Sequence, residues 1–308
     1  MLVLVTCQRK KRNNTFYNNS NKPNNTDNLY IAVIFSFSPV KNNISKKLEK
    51  LKQILKDMDK VVVAYSGGTD STFLLKVAHD MLGKNTLAVT AVSPTYTNSE
   101  LVEAKRFTKK MKIQHIIIKS KEMENEKFKK NTPDRCYYCK KELFSKSKKI
   151  ANTQNINYII DGSNVDDIND YRPGTKAIIE YGVKSPLKEV GLTKKEIREL
   201  SLKMQLNSWN KPPLACLSSR FPYGTNITKK RLKQIEQAES FLLKLGLNHV
   251  RVRYHDNIAR IEVNKDDFSK ILKHSKKIIQ QFKKLGFTYI TLDIEGYRAG
   301  SLNEVLKK

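Results

Sequence analysis

A chain of 308 residues has room for one large domain or two smaller ones, and a hydrophobic share of 39% is enough for a real core. Its 58 basic against 30 acidic residues leave a formal net charge of +28, but the lysines are spread along the whole chain and form no dense block. That pattern speaks against a nucleic-acid arm and for a background composition with some pull on phosphorylated ligands. The four cysteines, Cys7, Cys136, Cys139 and Cys216, are too few and too clustered for a secreted disulfide framework. No segment reaches the roughly eighteen apolar residues needed to span a bilayer, and a cytoplasmic protein is expected.

Residues 1–43 hold ten asparagines and, apart from the apolar run Leu29–Phe37, no helical or strand period. The run has the length of a signal-peptide core, with Arg9–Arg12 as its basic flank, but no small-residue cleavage site follows. The stretch reads as a disordered extension or a wrongly chosen start codon, and Cys7 within it is given no role. From Ile44 to Met58, Ile44, Leu48, Leu51 and Leu55 fall on one helical face. Val61–Ala64 then forms a continuous β-branched run, as a buried parallel strand requires. Tyr65-Ser-Gly-Gly-Thr-Asp-Ser-Thr72 follows, and Thr72–Leu82 reads as a helix opened by Ser71 and Thr72. Gly67 and Gly68 permit positive φ and close backbone approach, so strand, loop and helix together make an anion site. Neither a Walker A pattern nor a G-x-G-x-x-G fingerprint is present.

Leu87–Val92 is a second strand, Glu100–Met111 a helix, His115–Ile118 a third strand and Tyr158–Ile160 a fourth. Thr193-Lys-Lys-Glu196 is a capping box that starts a helix running to about Leu206. Strands alternating with helices imply a parallel, doubly wound α/β sheet. Its ligands bind beyond the strand carboxyl ends, where Ser66–Ser71, Ser93–Tyr96 and Asp161–Asp167 lie. The pattern changes near Thr225. Helix Arg231–Leu245, strands Val250–Tyr254 and Ile258–Val263, helix Phe268–Leu285 and strand Thr288–Ile294 form a smaller α+β unit. The domains expected are therefore 44–226 and 227–308.

Four constellations carry chemistry. Cys136-Tyr-Tyr-Cys139 is a redox pair, half a zinc site or part of an iron–sulfur site. Cys216 lies in the proline-rich loop Lys211–Arg220, where the Arg220 guanidinium would favour thiolate; a small buried cysteine is the plainer alternative. The segment 161–174 packs four carboxylates and an arginine into fourteen residues, which suits Mg²⁺–phosphate handling or simply a polar turn. In Val250-Arg-Val-Arg-Tyr254 the side chains of Arg251 and Arg253 share one strand face. They form either a phosphate clamp, with Arg298 as a third member, or an ion network with Glu239 and Glu262.

The loop Ser66–Ser71 resembles that of the ATP pyrophosphatase (PP-loop) superfamily. Taken with Arg135-Cys-Tyr-Tyr-Cys-Lys, Asp161-Gly-Ser-Asn-Val-Asp-Asp, Asp170-Tyr-Arg-Pro-Gly, Ala215-Cys-Leu-Ser-Ser-Arg-Phe-Pro-Tyr-Gly and Val250-Arg-Val-Arg, it is similar to the LarE family over about Ile44 to Asn303. Such enzymes are ATP-dependent sulfur transferases in nickel-pincer nucleotide cofactor biosynthesis for lactate racemase. The resemblance implies that Ser66, Gly67, Gly68, Asp70 and Ser71 bind ATP with Mg²⁺, and that a substrate carboxylate is adenylated. It implies that Arg251 and Arg253, with Ser219, hold the nucleotide phosphate, and that Arg298, Glu239 and Glu262 lie nearby. In members with a lone cysteine at the place of Cys216, that cysteine gives up its sulfur. Members that add a C-x-x-C carry a [4Fe–4S] cluster, which here would rest on Cys136, Cys139 and Cys216. A homo-oligomer, trimer or hexamer, a small-molecule nucleotide substrate and a downstream nickel-insertion protein are further implications. Two other readings are open: a PP-loop tRNA thiolase, and a non-catalytic ATP-binding protein that keeps the loop.

Overall fold

A computed structural model describes residues 39–169, 173–212 and 215–306. Cys7, the apolar run Leu29–Phe37 and the triplet Asp170, Tyr171 and Arg172 lie outside the described residues. Helix α1 (Pro39–Met58) opens on a proline, a residue at home in a first helical turn, and so begins inside the stretch read as an extension. It buries Ile44, Leu51 and Leu55.

The first sheet contains β1 (Val61–Ala64), β2 (Thr86–Val92), β3 (Gln114–Lys119) and β4 (Tyr158–Ile160). All run parallel, in the order β3-β2-β1-β4. Between them run α2 (Thr69–Leu82), α3 (Asn98–Lys110), the single turn α4 (Glu126–Lys129) and α5 (Arg135–Thr153). After β4 come α6 (Thr175–Glu180), α7 (Pro186–Glu189) and α8 (Lys194–Lys203). Side chains alternate across a strand, and the two faces of β1 show it. Val61 and Val63 pack with Leu51, Leu55, Phe73 and Leu74 from α1 and α2 and with Ile197 from α8. Val62 packs on the other side with Phe144 and Ala151 of α5 and Ile178 of α6. The sheet is thus covered on both faces, the doubly wound arrangement read from the sequence. Because β2 and β4 flank β1 on opposite sides, the loops after β1 and β4 open into one crevice at the strand-order switch.

The second sheet holds β5 (Arg251–His255), β6 (Ile258–Glu262) and β7 (Tyr289–Leu292), with β5–β6 antiparallel and β6–β7 parallel. Helix α9 (Lys229–Lys244) precedes it, and α10 (Phe268–Lys273) and α11 (Ser275–Lys284) cross from β6 to β7. The single helix expected over 268–285 is two, because His274 takes φ −97°, ψ 10° and interrupts the turn while the apolar spacing runs on. Val252, Tyr254, Ala259 and Ile261 face a core with Ile235, Leu242, Ile278 and Phe282. Phe128, Leu217 and Phe221 belong to the same core, so residues before 227 help build it. The opposite face of β5 and β6 carries Arg251, Arg253, Arg260 and Glu262. From Pro39 onward the chain makes one compact unit.

Candidate active site

The nucleotide loop is built by two glycines with different duties. Gly67 takes φ +76°, the left-handed region that a side chain resists. Gly68 is extended (φ −74°, ψ 168°) and precedes α2 as its cap without a side-chain hydrogen bond. The helix therefore opens at Thr69, not at Ser71 and Thr72, and Asp70 lies in its first turn. An anion at that end would meet the helix N–H groups and dipole. The hydroxyls of Ser66 and Ser71 lie 3.0 Å apart, and the Ser66 N–H donates to the Ser71 hydroxyl at 3.3 Å. From β4, Gly162 approaches so closely that a Cβ there would meet the Ser71 nitrogen at 2.9 Å. The crevice, of about 320 Å³, is lined by Lys140, Lys194, Arg198 and Lys211 beside Asp70, Asp161 and Asp167.

Those four cations were not singled out from the sequence. Lys140 directly follows Cys139, but the other three reach the crevice only through the winding of the chain. Lys211 donates to the Gly67 carbonyl at 3.2 Å and pairs with Glu103. Arg198 holds the Lys211 carbonyl at 2.7 Å, and the Thr69 hydroxyl donates to the Ser208 carbonyl at 2.7 Å. The proline-rich loop is thereby stitched to the nucleotide loop.

The carboxylates of the acidic segment after β4 are held by neighbouring donors. Asp161 is buried and accepts from the Ser163 hydroxyl at 2.7 Å, the Ser185 hydroxyl at 2.7 Å and Lys140 at 3.3 Å. Asp167 accepts from the Asn164 N–H at 3.1 Å and pairs with Lys194 at 3.1 Å. Among the described residues, no group of three or more His, Cys, Asp or Glu side chains is disposed to hold a metal ion.

Cys136 and Cys139 sit in the first turns of α5, a long helix missed in the sequence because its face mixes lysines with aromatics. Both are half-buried, whereas Cys216 is exposed just before a 3-10 turn at Leu217–Arg220. Burial pushes the Cys139 thiol well above its ordinary range, and the Glu122 carboxylate, which accepts its hydrogen bond, pushes it further. The thiols of Cys216 and Cys136 add smaller contributions in the same direction.

Arg220 organises the Cys216 loop. Its guanidinium grips Glu239 with two bonds of 2.9 Å and donates to the carbonyls of Ala215 and Cys216 and the hydroxyl of Ser219. Burial disfavours charge on both partners, yet the pairing outweighs it: Glu239 is held below the usual carboxylate range, and Arg220 is raised. Glu239 also accepts from the Val252 N–H at 2.9 Å.

Arg251 and Arg253 share a face, as their spacing predicts, and lead different lives. Arg253 is buried, bonded to Glu262 at 2.6 Å, to the Ser219 carbonyl at 3.0 Å and to the Ser301 hydroxyl at 3.0 Å. Arg251 lies over the Tyr297 ring, 5.5 Å from its centre. Burial lowers the Arg251 pKa, and the neighbouring Arg220 charge lowers it further. Glu262 takes a second guanidinium, Arg260, at 3.1 Å. Arg298 stands in an acidic nest, 2.9 Å from Glu295 and 3.1 Å from Glu304, and shares Asp293 with Arg260, each at 3.6 Å. Arg220, Arg251, Arg253 and Arg260 thus gather at this junction near Cys216, with Glu239 on Arg220, Glu262 on Arg253 and Arg260, and Asp293 on Arg260 at 3.6 Å.

A family model described as NAD synthase matches residues 40–158, the stretch that carries the nucleotide loop and β1 to β3 and ends at the first residue of β4. An uncharacterised protein of Synechocystis is 43% identical over 86% of this chain and 100% of its own length. An uncharacterised protein of Methanocaldococcus jannaschii is 34% identical over 82% of this chain and 98% of its own. The pyridinium-3,5-bisthiocarboxylic acid mononucleotide synthase of Lactiplantibacillus plantarum is 39% identical over 86% of this chain and 96% of its own. No helix among the described residues is long and apolar enough to cross a membrane. With the nucleotide loop at a parallel-sheet switch point and identity along nearly the whole of that synthase, the chain belongs to the LarE family of PP-loop ATP-dependent sulfur transferases.

Proposed function

We propose that this protein converts carboxylates of pyridinium-3,5-biscarboxylic acid mononucleotide to thiocarboxylates at the cost of ATP. The substrate carboxylate attacks the α-phosphorus of MgATP and expels pyrophosphate, leaving an acyl-adenylate. Lys140, Lys194, Arg198 and Lys211 supply charge where the triphosphate would lie. The activated carbonyl carbon then accepts sulfur and AMP departs. On the sacrificial route the Cys216 thiolate attacks, and removal of its α-proton breaks the Cβ–S bond. The thiocarboxylate leaves, and position 216 becomes dehydroalanine. The observation that carries this reading is Cys216 itself: exposed, on a loop fixed by Arg220, and bordering a cationic junction suited to a phosphate monoester.

Arg251, Arg253 and Ser219 are the proposed phosphate site, with Glu239 and Glu262 holding the arginines and Arg298 at its margin. The alternative sulfur source is a [4Fe–4S] cluster on Cys136, Cys139 and Cys216, a reading supported by the C-x-x-C spacing and by thiolates being the usual ligands of such clusters; among the described residues the three thiols do not by themselves form a metal-holding group. When bound, a [4Fe–4S] cluster would supply an iron able to carry a transferable sulfide. The product serves nickel-pincer cofactor assembly in the cytoplasm, upstream of a nickel-insertion protein and lactate racemase, and the enzyme works as a homo-oligomer with domains 44–226 and 227–308.

Anaerobic purification, iron and sulfide analysis and intact mass after turnover test the reading together. Brown protein containing iron and sulfide supports the cluster; colourless protein that loses one H₂S per chain supports sacrifice. Pyrophosphate release without any thiocarboxylate overturns sulfur transfer altogether.

A further inference from the structure

Two features of the molecule have no part in the chemistry above, and they meet in one segment. The first is Glu122, 4% exposed yet paired with no lysine, arginine or histidine among the described residues. Its carboxylate accepts from the hydroxyls of Ser93 at 2.6 Å, Thr95 at 2.6 Å and Ser120 at 3.2 Å, and it touches Cys139. A buried carboxylate kept without a cation is expensive unless its donors are fixed, and here three of them come from the strand ends beside the cysteines.

The second is the turn Ser93–Tyr96. Pro94 occupies its second position, where a ring pre-sets φ, and the Tyr96 N–H closes it on the Ser93 carbonyl at 3.0 Å. Thr97 then caps α3. This turn grips both halves of the active site from adjacent residues. The Thr95 carbonyl accepts the Leu217 N–H at 2.9 Å, next to Cys216. The Tyr96 phenol donates to the Ser66 carbonyl at 2.7 Å, in the nucleotide loop.

We propose that residues 93–97 form a positioning strap that sets the sulfur-donating loop in register with the nucleotide loop, with Glu122 as its buried anchor. Tyr96 holds the activating side and the Glu122–Thr95 pair holds the delivering side. Tyr96 and Thr95 act through the loops that they fix, and Glu122 acts through Thr95 on the sacrificial route, where Cys139 takes no part. The strap rests on the sulfur-transfer reading, since it matters only if an adenylate made at one loop must meet sulfur from the other.

The test uses the full chain in single-turnover reactions that follow pyrophosphate and thiocarboxylate in the same sample, with thermal unfolding of each variant alongside. Losing one hydrogen bond is expected to shift the affected half-reaction about two- to tenfold. Tyr96→Phe should raise the KM for ATP in pyrophosphate release while the thiocarboxylate formed per pyrophosphate holds steady. Glu122→Gln should lower that ratio instead, and Thr95→Val, which keeps the side-chain shape, should lower it likewise if Glu122→Gln fails to fold. Equal loss of both half-reactions in all variants, or no change in any, overturns the strap. Wild-type protein that releases pyrophosphate but forms no thiocarboxylate overturns the sulfur-transfer reading instead, and the two failures are therefore distinct.

Discussion

The two sheets make their contributions to the active site by opposite means. The first offers backbone: a left-handed glycine, an uncapped helix start and a second glycine, Gly162, close enough to touch it. The second offers side chains: arginines held extended by buried glutamates from other elements. A backbone site is local and tolerates change around it. A site of paired charges is non-local, and each glutamate lost leaves a guanidinium buried without a counter-charge. Activation chemistry thus sits on geometry, and substrate holding sits on electrostatic balance.

Substitutions can break this contrast in descending order of effect. Cys216→Ala should abolish thiocarboxylate formation to background while pyrophosphate release continues, read by product assay. Glu239→Ala should cost about 3–5 kcal/mol in urea unfolding, because Arg220 would remain buried without its partner. Gly162→Ala should cost about 1–3 kcal/mol, the range for forcing atoms into a packed site, and should weaken ATP binding without altering the second sheet. If Gly162→Ala disturbed phosphate binding as strongly as ATP binding, the separation of duties would fail.

Two pH effects sharpen the same contrast. The Glu239 pKa is lower in the folded chain than its ordinary 4.5. Its contribution is therefore present above that value and lost as pH falls through the depressed one, so an acid limb should appear in unfolding and vanish in Glu239→Gln. In the first sheet, burial lowers the His115 pKa below 6.5, with Lys105 adding to the effect. Its ring lies 2.8 Å from the Thr90 hydroxyl and 3.0 Å from that of Thr108. Neutral His115 favours folding above 6.5, and a smaller loss should set in as pH drops below it. His115→Gln should flatten that second limb.

The difference between the sheets also explains what the sequence revealed. β1 to β4 were legible because buried parallel strands are short apolar runs, and the nucleotide loop was legible because its glycines are contiguous. The α5 helix escaped notice because it keeps only Phe144, Ser147 and Ala151 buried along its later turns, with lysines between them. Arg251 and Arg253 were visible as a pair with Glu239 and Glu262 as candidate partners, but which carboxylate meets which guanidinium was not. Arg220 takes Glu239 from α9, and Arg253 takes Glu262 from the neighbouring strand together with Ser301 from the chain's end. Glu122 gave no local signal at all: an acidic residue in a polar turn becomes notable only once its burial is known.

One consequence concerns what becomes of the protein after a single reaction on the sacrificial route. Arg220 fastens the Cys216 loop by hydrogen bonds to main-chain oxygens and Ser219, none of which goes to the sulfur. Removing that sulfur would leave every one of those bonds in place. Spent and fresh molecules should therefore unfold at the same temperature and resist proteases equally. A cell relying on stability to clear its proteins would have no cue to discard the exhausted ones, and they would accumulate as competitors for the same nucleotide substrate.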